Sequence, residues 1–110
     1  MADYVCMIQE GQAADRERAA LEEGLTRIGR ECFGDGPTGV EIAWRPIKQG
    51  YGFTAGEPSR SSIVIRSVPA GLPLAEREGF MRKVCDLWES VTGCSIDEVV
   101  VTAWDGPLPL

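Results

Sequence analysis

The chain contains no histidine among its 110 residues. That removes the side chain that most often serves as a general base near neutral pH and as a metal ligand. Cysteine is sparse and scattered: Cys6, Cys32, Cys85 and Cys94 include no C-x-x-C pair. A zinc site would need all four to converge with no close pair to start it. Cys6 and Cys85 read instead as small hydrophobes in a strand and a helix. No metal and no cofactor is expected. Positive charge is also short, with 11 Lys and Arg against 17 Asp and Glu and a net charge of −6. Nucleic acids and anionic membrane surfaces, which need basic patches, are disfavoured as partners. No apolar run reaches the roughly 18 residues of a membrane span. The amino end lacks the basic and then apolar regions of a signal peptide, so a cytoplasmic location is expected.

What is present fits one compact domain: 44% of the residues are apolar and 25% charged. YVCMI, Tyr4 to Ile8, is a short apolar run bounded by Glu10-Gly11 and reads as a strand. From Ala14 to Cys32, Leu21, Leu25, Ile28 and Cys32 step by 4, 3 and 4, a helical stripe. Gly24 and Gly29 interrupt that helix. Each costs about 1 kcal/mol against alanine, so they point to close packing. Gly34, Gly36 and Pro37 end the segment, and GVEIAW, Gly39 to Trp44, reads as a second strand stopped by Pro46. Tyr51 and Phe53 flank Gly52 in a glycine-rich stretch that reads as a short edge hairpin.

The pattern then recurs about 60 residues on, the mark of an internal repeat. IVIRSV, Ile63 to Val68, is a strand, and Ala70-Gly71 takes the place of Glu10-Gly11. A helix from Leu74 to Thr92 carries Phe80, Val84, Leu87 and Val91, with Met81 and Trp88 beside them and Gly93 as its C-cap. EVVVTAW, Glu98 to Trp104, closes the second unit. The expected fold class is α/β: two tandem β-α-β units form a four-stranded sheet with two helices on one face. The units divide as 1–46 and 63–105, with a hairpin and connector at 47–62 and a tail at 106–110. Both sheet faces are apolar and two helices cover only one, so the other is expected to meet further subunits. The tail is expected to lie over one of them.

The chain resembles the tautomerase superfamily along its whole length. A strand starts at the amino terminus, and Glu10-Gly11 follow eight and nine residues after Ala2. That spacing is similar to the family's, counted from its amino-terminal proline. The run from Ala20 to Thr26, A-L-x-x-x-L-T, and TGVEIAW with its Gly-aromatic loop are similar too. Two such units resemble the longer members, such as macrophage migration inhibitory factor and cis-3-chloroacrylic acid dehalogenase. The resemblance implies a trimer with helices outside. It also implies proton transfer, isomerisation or cyclisation on a small oxo or enol compound. The chain departs from the pattern where that chemistry sits. Ala2 replaces the proline, and Gln12 and Glu41 stand where 4-oxalocrotonate tautomerase has arginines.

Candidate site residues follow. Ala2 would present a primary amine if Met1 is removed, able to act as a base or to form a Schiff base; otherwise it simply starts a strand. Glu41 and Arg45 share one strand face and would meet either a ligand or each other's counterparts across a trimer. Arg66 is either a polar lining of a central channel or an anion anchor. The resemblance puts Tyr51 and Phe53 at the rim of the pocket. A non-catalytic binding or assembly protein that keeps the fold is the competing expectation.

Overall fold

The computed structural model describes residues 2–11, 13–36 and 38–108. The chain runs β1 (Tyr4–Gln9), α1 (Asp15–Phe33), β2 (Ile42–Ile47), β3 (Phe53–Thr54), β4 (Glu57–Pro58), β5 (Ser62–Val68), α2 (Leu74–Thr92) and, after a 3-10 turn, β6 (Val99–Asp105). The main sheet has the order β2-β1-β5-β6. Each unit's strands are parallel, β1 with β2 and β5 with β6, as a helical crossover requires. The units join antiparallel, Tyr4 opposite Arg66 and Met7 opposite Ile63. Two β-α-β units thus make one four-stranded sheet with both helices on one face, as the repeat predicts.

The alternation of side chains sorts the sheet. Tyr4, Cys6, Val64 and Val99 face the helices and form the core with Leu21, Leu25, Ile28, Phe80, Val84 and Trp88. Trp88 is fully buried, whereas Leu87 and Val91 are only partly so. Both helix glycines have a physical reason. A Cβ at Gly24 would lie 2.4 Å from Leu87 Cδ1, so the two helices meet there. A Cβ at Gly29 would lie 2.0 Å from Asp35 Oδ2. Gly34 and Gly93 end the helices in the left-handed conformation, with φ of 66° and 72°.

Two boundaries differ from the sequence reading. β2 starts at Ile42, not Gly39, because Gly39 has a φ of +82° and its N–H bonds to Gly36 O in a turn. β2 also continues through Pro46 to Ile47. As an edge strand it tolerates a residue that cannot donate to the ladder. Residues 109–110 of the tail lie outside the described residues. Gly106 N–H donates to Val68 O, and Leu108 is buried within its own chain.

The open face carries Ala43, Arg45, Val5, Met7, Ile63, Ile65, Ser67, Val100, Thr102 and Trp104. Val100 is 51% exposed and Trp104 43%. No helix among the described residues is long and apolar enough to cross a membrane. Among the described residues, no group of three or more Cys, Asp or Glu is placed to hold a metal ion.

Candidate site at the amino end of the sheet

Ala2 is half-buried where the central strand β1 begins. The next residue is fastened on both sides. Asp3 N–H donates to Glu41 O at 2.8 Å, and Glu41 N–H donates to Asp3 Oδ2 at 2.8 Å. Ser67 N–H donates to Asp3 O at 2.9 Å. The amino end of the sheet therefore gathers Ala2 and Asp3 with Glu41 before β2 and Ser67 at the end of β5. The register brings Trp104 there as well. Met1 and Gln12 lie outside the described residues.

The hairpin lies at the opposite end. It leaves the sheet after Ile47 and returns at Ser62, and Gln9 Nε2 holds Ser59 O at 3.0 Å. Six residues of β1 separate the two ends, about 20 Å of strand. Tyr51, 75% exposed, and Phe53, 67% exposed, therefore do not form a rim over Ala2 of the same chain. Between the ends, Arg45 stands opposite Met7 on the open face, exposed, with its guanidinium on Trp44 O at 3.3 Å.

Arg66 lies on the other side of the sheet. It lines no channel on the open face, because alternation points it toward the helices with Val64 and Val68. It is 5% exposed. Its Nη1 and Nη2 each donate to Asp35 at 2.9 Å, and its Nε donates to Ser67 O at 2.7 Å. The guanidinium also lies over the rings of Tyr4 and Phe33, 4.8 and 4.9 Å from their centroids. Burial pulls the Arg66 pKa down, but Asp35 and Tyr4 more than offset it and leave it above its ordinary value. Tyr4 donates its hydroxyl to Leu25 O, and burial pushes its pKa up to about 12.

Sequence reasoning missed Asp35. The available signal was an arginine in an apolar strand, since such a charge is almost never fully buried unpaired. An acidic residue between two glycines just after a helix is one partner such a search would have tried.

Among the described residues, four of the surface hollows hold about 270–610 Å³. The largest, about 610 Å³, lies between α1 and the approach to β2, over Val40 and Ile42 and beside Glu22, Thr26 and Arg30. A smaller one of about 300 Å³ is bounded by Arg77, Ala103, Trp104 and Asp105 at the amino end of the sheet. Arg77 is engaged there by Leu72 O, Ala103 O and Asp105. None of the four is lined by Ala2.

The architecture recurs among solved structures. The crystal structure of native Ps01740 superposes with a TM-score of 0.86 at 31% identity, covering 94% of this chain and 93% of that one. A fused 4-OT, described as a wild-type symmetric trimer, gives 0.83 at 17% identity over 94% of this chain and 85% of that one. Pt0534, solved after inactivation by 2-oxo-3-pentynoate, gives 0.83 at 17% identity with the same coverages. No family model and no curated protein matches the chain. The chain belongs to the tautomerase superfamily. Its first strand starts at Tyr4, two residues after Ala2. Ala2 and Glu41 lie at one end of its sheet, on either side of the Asp3–Glu41 hydrogen bonds, while Tyr51 and Phe53 sit at the other.

Proposed function

We propose that this protein is a homotrimeric small-molecule enzyme of the isomerase type. In this reading Met1 is removed, and the amine of Ala2 moves a proton on a small oxo or enol compound. One observation carries the reading: residue 3 is bonded to both neighbouring strands, so residue 2 is held at a fixed place at the end of the sheet. A positioned amine can take a proton beside a carbonyl and return it to another carbon of the same substrate. A partly desolvated amine is also more often neutral, the form that acts as a base.

The site is completed between copies. Residues at opposite ends of one sheet cannot meet in one chain, so Tyr51 and Phe53 of one copy approach Ala2 and Glu41 of the next, with Arg45 between the ends on the shared face. The apolar face turned away from the helices, exposed at Val100 and Trp104 of β6, supplies the contact surface. The solved fused 4-OT of the same fold is described as a trimer, which favours this assembly. Sedimentation at micromolar concentration is expected to give a trimer. Ile65→Arg, which puts a charge in the middle of the open face, is expected to dissociate it. A stable wild-type monomer would remove the composite site.

The amine is tested with the compound that inactivated Pt0534. Conjugate addition of an amine to the alkyne of 2-oxo-3-pentynoate forms one C–N bond, and the amine proton ends on carbon. Intact mass of natively produced protein should show loss of Met1, and peptide mapping after treatment should place the adduct on Ala2. Retained Met1, or an adduct confined to cysteine, overturns the amine mechanism. Two observations favour the competing reading, a scaffold without chemistry: Ala2 lines none of the four hollows, and Arg66 is already occupied by Asp35. An unlabelled but trimeric protein supports that alternative.

A further inference from the structure

We infer that Arg66 and Asp35 position the amino-terminal residue, acting through Ser67. The inference deepens the amine reading and rests on it for what the positioning serves. Ser67 uses three polar groups at this end of the sheet. Its C=O accepts from Arg66 Nε at 2.7 Å. Its hydroxyl donates to Gly106 O at 2.6 Å. Its N–H donates to Asp3 O at 2.9 Å, one residue from Ala2. Arg66 is itself fixed by two donors on Asp35 and by the Tyr4 and Phe33 rings it lies over. Asp35 follows the end of α1, so the pair ties the first unit's helix to the end of β5, the second unit's first strand. Ser67 passes that restraint to the amino terminus.

The restraint is directional. A planar guanidinium with a carboxylate across its fork and a carbonyl on Nε has one orientation, and lysine cannot reproduce it. Gly29 is part of the device. Its missing Cβ leaves room for Asp35 Oδ2, and a methyl there would also stand 3.0 Å from Arg66 Nη1. Gly29→Ala therefore pushes the carboxylate off the guanidinium while both charges stay in the chain.

The test uses the full chain and two readouts. Amide hydrogen exchange is followed at Ser67 and at Ile8, which lies at the far end of β1. Labelling by 2-oxo-3-pentynoate is followed for its rate and pH midpoint. The variants are Gly29→Ala, Arg66→Lys and Ser67→Ala, with Val84→Ala as a core control. The three site variants are expected to speed exchange at Ser67 by about tenfold or more, the scale of one lost hydrogen bond to a charged group. Ile8 should follow only the change in global stability. They are also expected to slow labelling and move its pH midpoint, whereas the core control should leave the midpoint in place. Ser67→Ala removes only a hydroxyl, so it remains informative if the other variants fold poorly. Exchange at Ser67 that rises no more than at Ile8 overturns the inference. So does faster Ser67 exchange with labelling rate and midpoint unchanged. If the wild type is not labelled at residue 2 while Ser67 responds as expected, the positioning stands and the amine mechanism falls.

Discussion

Asp35→Ala is expected to destabilise the protein by about 3–5 kcal/mol, the usual cost of stranding one member of a buried ion pair. The Arg66 side chain is 6% exposed, so its charge has little water to turn to when the carboxylate is removed. Two donors lose their acceptor at once. The Tyr4 and Phe33 rings remain, but a cation over an aromatic face recovers only about 0.5–2 kcal/mol and is already counted in the native state. Arg66→Met is expected to cost less. It removes the charge beside the rings and leaves an unbranched thioether that packs against aromatic edges. The Asp35 side chain it leaves behind is 14% exposed and has more access to water. The order Asp35→Ala worse than Arg66→Met is the signature of a pair whose cation is the more deeply buried member. Urea unfolding at one fixed protein concentration measures both, because an oligomer's apparent stability moves with concentration. A loss of about 1 kcal/mol or less for Asp35→Ala would place the pair among exposed surface bridges and contradict its burial.

The same pair shows where sequence reading stopped. Local signals were legible. The 4, 3, 4 steps gave both helices, and Gly93 capped α2 as its position suggested. Gly24 and Gly29 were readable as contact points because a glycine inside a helix is a cost that needs a reason. Their partners were not readable. Leu87 is far from Gly24 in sequence, and Asp35 meets Arg66 only after the two units pair antiparallel. Alternation in IVIRSV put Arg66 on the face with Val64 and Val68, yet nothing local decided which face the helices would cover. That choice is made by the apolar stripes of α1 and α2 docking on Tyr4, Cys6 and Val64. It turned Arg66 from a candidate ligand anchor into a buried strut. The hairpin failed for a related reason. A hairpin was legible around Gly52, but its turn falls at Ala55-Gly56, which take φ of 54° and 81°, as a tight hairpin turn demands. Which end of the sheet it joins follows from the parallel pairing of β1 with β2. Parallel pairing puts the hairpin away from Ala2 in its own chain and makes the candidate site a question of assembly.

Alkaline pH should destabilise the protein progressively from pH 9 upward. Burial pushes the Cys6 thiol from 9.0 to about 12, and Tyr4 from 10.0 to about 12. Burial also raises Cys85. In each case the neutral, protonated form is the one the fold favours. Above pH 9 the unfolded chain releases the Cys6 proton and the folded chain keeps it, so the unfolded state binds fewer protons and stability falls as pH rises. The contribution is complete below pH 9 and is lost on the way to pH 12. The slope is roughly 1.4 kcal/mol per pH unit for one group, and about doubles above pH 10 where Tyr4 joins. Summed to pH 12, that is several kcal/mol, comparable with the 5–15 kcal/mol that holds a typical domain. Urea unfolding at a series of pH values from 8 to 11.5 reads the effect. Cys6→Ala separates the two groups. It lowers stability at every pH by leaving a small gap in the core, but it should flatten the fall between pH 9 and 10 and keep the fall above pH 10 that belongs to Tyr4. An unchanged slope between pH 9 and 10 in Cys6→Ala would show that the thiol reaches water in the folded protein. The core beneath β1 would then be looser than its packing between Leu21, Leu25 and Val64 implies.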